Sequence, residues 1–387
     1  MTAALRRLPW TTVVPVLALV LLAFTFGRHV PVPVLVLVGA SLIGAVLAAV
    51  HHAEVIAHKV GEPFGSLVLA VAVTVIEVGL IVTLMVSGGG HGGDTSELAR
   101  DTVFAAVMIS ANGIVGLALL VSALKHHLAV FNPEGTGAAL ATVAALATLC
   151  LVLPRFTTSA DGAEFSGAQL AFAAVASLAL YVLFVFTQTV RHRDFFLPVD
   201  RDGRTRTGTR DHDADGTGDE QGEQGEQGEE HADPPTGRQT LASLGLLVVA
   251  LVGVVGLAKV ASPSIEDAVD AVGFPQAFVG VVIALLVLLP ESIAATRNAL
   301  RERVQVSLNL GYGSAMASIG LTIPTIAVAS IWLDGPLALG LEPTQIVLLV
   351  VSVAVGTLTV VPGRAKPLQG GLHLALLAAF VFLSIRP

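Results

Sequence analysis

Two acidic side chains stand alone inside long apolar segments of this 387-residue chain. Glu77 lies within FGSLVLAVAVTVIEVGLIVTLMV, and Glu291 directly follows FVGVVIALLVLLP. A carboxylate at bilayer depth costs about 2.5–3.5 kcal/mol or more, so it is rarely found there without a partner or a function. Two such carboxylates could share one cation, and the pair therefore predicts a buried cation site.

The composition indicates which elements must carry these glutamates. Mean hydropathy is +0.80, and 54% of the residues are apolar while 13% are charged, whereas a soluble domain has about 25% charged residues. A membrane-spanning helix needs about 20 apolar residues. Eleven segments qualify, at residues 10–27, 31–50, 63–87, 102–124, 137–153, 167–190, 240–260, 274–296, 306–332, 343–361 and 370–385. We therefore expect an all-α polytopic membrane protein with about 11 transmembrane helices.

The first segment is interpreted as a retained helix, because no signal-peptide cleavage site follows it and a second span comes at once. The loop charges then predict the orientation. If Arg6 and Arg7 are cytoplasmic, the inner side contains sixteen of the 21 Lys and Arg residues. This excess predicts a cytoplasmic N-terminus and an outer C-terminus. The expected location is the cytoplasmic membrane of a bacterial cell.

Residues 191–238 differ from the rest of the chain. They contain RDGRTRTGTRDHDADGTGDEQGEQGEQGEEHADPPTG, which has almost no apolar side chain to bury. Such a segment is expected to stay disordered, and we interpret it as an acidic cytoplasmic linker, with a cation-sensing role as the alternative. It separates a first half at residues 29–190 from a second half at residues 239–387. Residues 1–28 form an extra N-terminal helix.

The two halves contain related sequences. Without gaps, residues 62–77 align with 276–291, which pairs the two glutamates, and residues 101–120 align with 305–324, which pairs serines and glycines. The first copy is formed by spans three and four and the second by spans eight and nine, five spans further along the chain. Because five is odd, the copies should cross the membrane in opposite directions. The prediction is two inverted five-helix repeats, an architecture with its ion site at the repeat interface near the midplane.

Neutral oxygens near the glutamates would complete such a site. Ca²⁺ prefers six to eight oxygen ligands, and two glutamates supply at most four. Candidates for the others lie on spans four and nine: Ser110, Asn112, Asn309, Ser314 and Ser318. Pro290 removes a backbone hydrogen bond beside Glu291 and frees a carbonyl group to line a cavity. Thr74 is a secondary candidate, and Glu62 at the start of span three either caps the helix or acts as a cytoplasmic gate.

Small residues on spans four and nine would let these helices approach each other closely. They are Gly113, Gly116, Gly311, Gly313 and Gly320. The serines and glycines of these two spans therefore have two interpretations, as residues of helix packing or as parts of the cation site.

Charge balance at a two-carboxylate site predicts exchange. One Ca²⁺ neutralises two carboxylates, and so do two protons, whereas an empty site carries two buried negative charges. Burial and mutual repulsion favour the protonated carboxyls, so protons can compete with the cation. The protein is therefore expected to switch faces only when it is loaded with Ca²⁺ or with protons.

The glutamate segments resemble the repeats of a known family. GEPFGSLVLAVAVTVIE looks like the first α-repeat of the calcium/cation antiporter superfamily, and LLPESIAATRNALRERVQVSLNLGYGSAMASIGLTIP looks like the second. Both are most similar to the bacterial Ca²⁺/H⁺ antiporter branch, which exchanges Na⁺ or K⁺ as well. The resemblance implies ten core helices, an essential glutamate pair at the positions of Glu77 and Glu291, and export of cations driven by inward protons.

Other classes of protein fit the sequence less well. An intramembrane protease would need paired aspartates or a nucleophile with a base, and no Asp lies at the centre of any span. A channel would need a continuous polar pore, which these apolar spans do not provide. We expect a transporter and not an enzyme, with transported cations and the lipid bilayer as partners, no cofactor and no nucleic acid. A monovalent Na⁺/H⁺ or K⁺/H⁺ antiporter using the same site is the alternative.

Two polar clusters near helix ends have simpler interpretations. The first could bind a metal but is expected to pack at the membrane interface, and it comprises His51, His52, Glu54 and His58. The second is interpreted as an anchor of the topology, and it comprises Lys125, His126 and His127. A single intramembrane glutamate could likewise be structural, but this explains a repeat-related pair poorly.

Overall fold

The protein is a bundle of apolar helices. Its structure, a computed structural model, describes residues 9–28, 30–61, 64–87, 97–160, 162–199, 235–332 and 337–386. Within these residues, eight helices are long and apolar enough to cross a membrane, a pair bent by 52° adds a ninth, and Trp10–Thr25 and Val68–Thr83 are shorter apolar helices. These positions correspond to the eleven predicted spans. The all-α polytopic fold is confirmed.

The described residues contain fourteen α-helices and two short strands. Before residue 200 the chain forms α1 (Trp10–Thr25), which precedes the first half, and then α2 (Val32–Val60), α3 (Phe64–Ser87), α4 (Leu98–Met108), α5 (Val115–His126), α6 (Pro133–Ala147) and α7 (Gly167–Phe186). The second half contains α8 (Gly237–Ala271), α9 (Ala277–Val287), α10 (Leu289–Leu300), α11 (Val304–Gly320), α12 (Thr322–Ala329), α13 (Pro343–Val360) and α14 (Pro367–Ile385). Strands β1 (Ala129–Val130) and β2 (Arg364–Ala365) pair antiparallel and join the chain after α5 to the chain after α13.

Several spans of the first half contain a π turn. One, Ile109–Ile114, joins α4 to α5, while Thr148–Val152 follows α6 and Thr187–Arg191 follows α7. A π turn inside a helix is often found at a functional site. The turn between α4 and α5 contains Ser110 and Asn112, two of the predicted ligands.

Buried apolar side chains form two groups. The larger joins α4–α7 to α10–α14 and includes Ile81 of α3 and Val281 and Ala284 of α9. The smaller joins α1, α2, α3, α8 and α9. In the smaller group α1 lies directly on α8, where a Cβ added at Gly253 would come within 3.2 Å of the Cβ of Ala18. The extra N-terminal helix is therefore packed into the same group as α2 and α8.

The helix of span two extends beyond residue 50, where the predicted apolar span ends. α2 continues to Val60, because the alanines and long polar side chains after residue 50 favour helix, while hydropathy reports only the apolar part. His52 lies in this extension, is 4% exposed, and places Nε2 2.9 Å from the carbonyl oxygen of Thr11 and Nδ1 3.3 Å from Oγ of Ser243. Its role is packing between α1, α2 and α8.

The predicted linker begins too early. After α7 the chain forms a short helical turn, Arg193–Phe196, and the buried ring of Phe196 packs edge-on against Phe184 with centroids 5.6 Å apart. The aromatic side chains in this segment supply apolar surface that the acidic residues after it lack. The predicted disorder is therefore wrong for residues 191–199, whereas residues 200–234 lie outside the described residues.

A buried ion-pair cluster lies at the start of α4. Arg100 is 2% exposed, and its guanidinium is 2.8 Å from Asp101, 3.0 Å from Glu97 and 3.7 Å from Glu342. A buried cation is stable only when it is paired in this way. Because Glu342 precedes α13, the cluster holds the first turns of α4 and α13 together.

Candidate cation site

Glu77 is held in the middle of α3 by hydroxyl groups from a different part of the chain. Its side chain is 2% exposed, and Oε2 accepts hydrogen bonds from Ser318 Oγ at 3.0 Å and Thr322 Oγ1 at 3.3 Å. These donors come from the end of α11 and the start of α12, on either side of the helix break at Leu321. Both hydroxyls stabilise a negative charge on Glu77.

Glu291 is held by a helix break. α9 ends at Val287 and α10 begins at Leu289, with Pro290 in the first turn and a bend of 52° between the two helices. Glu291 lies in this first turn, beside the backbone N–H groups at the start of α10. The N-terminus of a helix carries a partial positive charge. The break therefore gives Glu291 the electrostatic support that hydroxyls give Glu77.

The charges of the two carboxylates interact with each other. A third carboxylate, Glu54 on α2, interacts electrostatically with Glu291. Carboxylates that repel each other are stabilised by any cation or proton that enters between them. The site is thus negative, and within the described residues no lysine or arginine pairs with Glu77 or Glu291.

Six buried polar side-chain atoms in the described chain have no hydrogen-bond partner. They are Oγ1 of Thr74, Oε1 of Glu77, Oγ of Ser110, Oε2 of Glu291, the hydroxyl of Tyr312 and Nε2 of His373. Leaving such atoms unpaired is unfavourable, and each calls for an explanation. Four of the six belong to residues that the sequence singled out for the site. The unpartnered oxygens of these four residues are chemically suited to a hard cation such as Ca²⁺ or Na⁺.

A cavity of about 230 Å³ reaches Glu291. It extends to Gln188 at the end of span six and to Val306 at the start of α11, so it runs to the helix ends next to the linker. We call this the linker side. Ser314 and Asn309 also line the cavity. Its volume exceeds that of several water molecules, since one water occupies about 30 Å³ in the liquid.

The structure separates the predicted neutral ligands. Ser318 contacts Glu77, and Ser314 lies in the cavity with Glu291. Asn112 is used elsewhere, because Nδ2 donates to Ser352 Oγ at 2.9 Å and Oδ1 lies 3.1 Å from His373 Nδ1. It joins span four to α13 and α14.

Asn309 is also occupied. Its Oδ1 accepts from Gln305 Nε2 at 2.9 Å, and its Nδ2 donates to the carbonyl oxygen of Phe196 at 2.8 Å. It lines the cavity but anchors the turn after span six. The three secondary candidates have different outcomes. Thr74 Oγ1 is buried without a partner, and Pro290 lies at the break before Glu291. Glu62 lies outside the described residues.

The glycines of spans four and nine make different contacts. A Cβ at Gly311 would lie 2.9 Å from Val115 and 3.3 Å from the carbonyl oxygen of Ser110, so this glycine brings α11 against the π turn. Gly113 and Gly116 lie close to α14, and Gly320 lies close to Tyr181 of α7, so these three pack against other helices. Gly313 has nothing within 4 Å of its Cβ position and lines the cavity instead.

Sequence reasoning missed three residues of this region. Thr322 follows Ser318 by four residues in SIGLTIP, and this one-turn spacing could have identified it as a second donor. Gln188 was recognisable as a polar side chain at the end of an apolar span. Glu54 was considered only with the nearby histidines, yet its charge reaches Glu291. Among the described residues, no group of three or more His, Cys, Asp or Glu is arranged to hold a metal.

Comparisons with known proteins agree with this architecture. Residues 30–190 and 242–386 match the family model described as sodium/calcium exchanger protein. The protein y4hA of Sinorhizobium fredii (strain NBRC 101917 / NGR234), named as a candidate ionic transporter, is 43% identical over 381 residues, which cover 98% of this chain and 96% of y4hA. The sodium-potassium/proton antiporter ChaA of Escherichia coli (strain K12) is 32% identical over 380 residues, which cover 97% of this chain and 96% of ChaA.

Solved structures show the same fold. The structure of native YfkE superposes with a TM-score of 0.68 at 14% identity, covering 97% of this chain and all of that one. The crystal structure of the H⁺/Ca²⁺ exchanger CAX gives a TM-score of 0.62 at 14% identity, covering 97% of this chain and 91% of that one. The chain is a transporter that belongs to the sodium/calcium exchanger protein family and, within the calcium/cation antiporter superfamily, to the ChaA-like branch.

Proposed function

We propose that this transporter exports Ca²⁺ from the cytoplasm in exchange for protons through Glu77 and Glu291. The observation that carries the proposal is a pair of carboxylates within the helix bundle, each with one buried oxygen that has no hydrogen-bond partner. Hydrogen bonds from Ser318 and Thr322 fix the side chain of Glu77, and the N-terminus of α10 stabilises the charge of Glu291. The free oxygens are available to a cation or to a proton.

The coupling follows from charge. One Ca²⁺ or two protons neutralise the two carboxylates, whereas the unloaded pair carries two negative charges in a medium of low dielectric constant. Only neutral, loaded forms then cross between the inward- and outward-facing states at a useful rate. Hydroxyls of Ser318 and Thr322 and the N-terminus of α10 stabilise the ionised carboxylates enough for the cation to displace protons.

The neutral ligands of the cation are proposed from the same region. Ser110 Oγ and Thr74 Oγ1 are buried without partners, and Ser314 lies in the cavity with Glu291. Together with the two glutamates they approach the six to eight oxygens that Ca²⁺ prefers, with water as a further ligand. Asn112 and Asn309 then hold neighbouring helices in position.

A monovalent Na⁺/H⁺ or K⁺/H⁺ antiporter is the second candidate. It is favoured by the 32% identity to ChaA, whose name specifies sodium, potassium and protons. In this case each monovalent cation would replace one proton. The same two carboxylates serve both candidates, so the glutamate variants do not distinguish between them.

The arrangement in the membrane is part of the proposal. Two inverted five-helix halves at residues 29–190 and 239–387, with the helix of residues 1–28 added, would place the glutamates on oppositely directed helices near the midplane. The linker, and with it the N-terminus, would lie in the cytoplasm of a bacterial cell. The cavity then opens to the cytoplasm, where exported cations enter.

The test uses purified protein in liposomes that contain a pH-sensitive dye. Ca²⁺, Na⁺ and K⁺ are added one at a time, and the rate of proton movement is measured against the concentration of each cation. The proposal predicts a response to Ca²⁺ at lower concentration than to Na⁺ or K⁺. Responses to Na⁺ or K⁺ alone would select the second candidate, and no response to any cation in folded protein would refute both.

A further inference from the structure

The junction between α5 and α10 has an unusual backbone. His127 (φ 69°) and Glu302 (φ 60°) are the two non-glycine residues with left-handed backbone among those the structure describes, and both lie here. His127 follows the last residue of α5, and Glu302 follows α10 by two positions. Because this conformation is unfavourable for residues with a Cβ and tends to occur at functional sites, the junction is a candidate for a function of its own.

Side chains of α5 bind the end of α10. Lys125 Nζ donates to the carbonyl oxygen of Leu300 at 2.8 Å. His126 Nε2 lies 3.2 Å from the same oxygen, and its Nδ1 lies 3.0 Å from Oε1 of Glu302. The last carbonyl groups of a helix carry a partial negative charge, so the cation of Lys125 stabilises this end of α10.

Both ring nitrogens of His126 face oxygen atoms. A neutral imidazole has one N–H and can donate to one of them, whereas the imidazolium has two and donates to both. Protonation therefore adds one hydrogen bond and an ion pair at the end of α10. Histidine is the side chain whose charge changes within the physiological range of pH.

The clamped helix is the one that carries Glu291. α10 runs from Leu289 to Leu300, with Glu291 in its first turn and Leu300 at its end. Nine residues separate the two, or about 13.5 Å at 1.5 Å per residue. A short rigid helix held at one end cannot shift freely at the other, so the clamp affects the position of Glu291.

We propose that His126 is a proton-sensitive clamp on α10, a positioning residue that holds the Glu291 half-helix when protonated and loosens it when neutral. Glycine at position 302 would fit the left-handed backbone better, so the carboxylate of Glu302 is present at a cost to the backbone. Other titratable or charged groups on the elements that pack against α5 are Glu291 and Arg297 on α10, Tyr312 on α11 and His373 on α14, while Arg301 and Arg303 lie in the connection between α10 and α11. The clamp itself does not depend on the function proposed above; only the effect of the clamp on transport does.

Hydrogen exchange tests the clamp without reference to transport. In purified protein at about pH 6 and about pH 8.5, the protection factors of the last-turn amides of α10 (residues 298–300) are compared after correction for intrinsic rates. We expect protection to fall about tenfold at the higher pH, because a hydrogen bond to a charged group is lost. His126→Gln and Glu302→Gly should remove this dependence, while His58→Gln, an exposed histidine on the same predicted side, should keep it.

The inference is overturned if His126→Gln shows the same tenfold change as the unmodified protein, or if the unmodified protein shows none. Transport is measured separately as exchange of isotopically labelled Ca²⁺ for unlabelled Ca²⁺, which needs no proton gradient. The pH on the linker side is varied. We expect the pH dependence to be several-fold flatter in His126→Gln. Absent transport with pH-dependent protection would refute the proposed function alone, and normal transport with pH-independent protection would refute the clamp alone.

Discussion

The two glutamates are carried by helices of different build. α3 is continuous through Glu77, so its backbone N–H groups are used within the helix and the carboxylate takes its hydrogen bonds from Ser318 and Thr322. α9 and α10 are broken just before Glu291, which lies in the first turn of α10 at the positive end of that helix. A carboxylate in an intact helix needs donors from another helix, whereas one at a break has donors beside it. Related repeat sequences therefore stabilise the same charge in two ways.

The irregular backbone is also distributed differently. In the first half the π turn lies on the neighbouring span, at Ile109–Ile114, while α3 itself is regular. In the second half the glutamate span is broken and the corresponding part of α11 is regular up to Gly320. The first pair of spans is therefore irregular only beside its glutamate helix, whereas the second pair is irregular just before Glu291 and again at Leu321.

Loss of either carboxylate should have the largest effect. We expect Glu77→Gln and Glu291→Gln each to reduce exchange to background, because one remaining carboxylate cannot neutralise a divalent cation or balance two protons. The measurement is cation-dependent proton flux in liposomes containing purified, folded protein. Glu134→Gln, at an exposed carboxylate at the start of α6, is the control and should be unaffected. Near-normal flux in one glutamate variant would remove that residue from the site.

The break before Glu291 should matter next. Pro290→Ala restores a backbone N–H and removes the ring that obstructs the preceding turn, which allows α9 and α10 to straighten and displaces Glu291. We expect exchange to fall about 10- to 100-fold, as for small misplacements of other reacting groups. Pro263→Ala, inside α8, is the matched control. Equal rates in both variants would show that proline is not what positions Glu291.

The donors of Glu77 should have a smaller effect. Ser318→Ala removes a hydroxyl that stabilises the ionised carboxylate of Glu77. Protons then compete better with the cation for this carboxylate. The cation concentration for half-maximal exchange should rise about tenfold, and less in Thr322→Ala, where the hydrogen bond is longer. Ser292→Ala is the control beside Glu291, because this hydroxyl bonds only to the carbonyl oxygen of Leu288 at 2.7 Å. An equal rise in Ser292→Ala would contradict the prediction.

The smallest effect concerns two glycines of α11. A methyl group at Gly311 would meet Val115 and the Ser110 carbonyl oxygen, whereas one at Gly313 would meet nothing within 4 Å. Gly311→Ala should lower the free energy of unfolding by about 1–3 kcal/mol, seen as a lower midpoint of thermal unfolding in detergent. Gly313→Ala should change it by less than about 0.5 kcal/mol. Equal midpoints would argue against a close contact between α11 and the π turn.

Much of the fold could be predicted because lipid requires long apolar helices, and these are visible in composition alone. The position of Glu77 and Glu291 followed from the same rule, since charges are rare in such segments. The partners of Asn112 could not be predicted, because Ser352 and His373 are 240 and 261 residues away. Hydropathy also placed the end of span two at residue 50, since it does not detect polar residues that continue a helix to Val60.

The contact between α1 and α8 has a consequence for the order of assembly. Gly253 and Gly256 lie against Ala18 and Leu22, residues made more than 200 positions earlier in the chain. During synthesis, α1 and α2 must therefore remain in the bilayer without this partner until the second half has been inserted. Contacts between such distant segments form late. A chain that stops after the linker would leave this surface of α1 and α2 uncovered, exposed to lipid or to quality-control proteases.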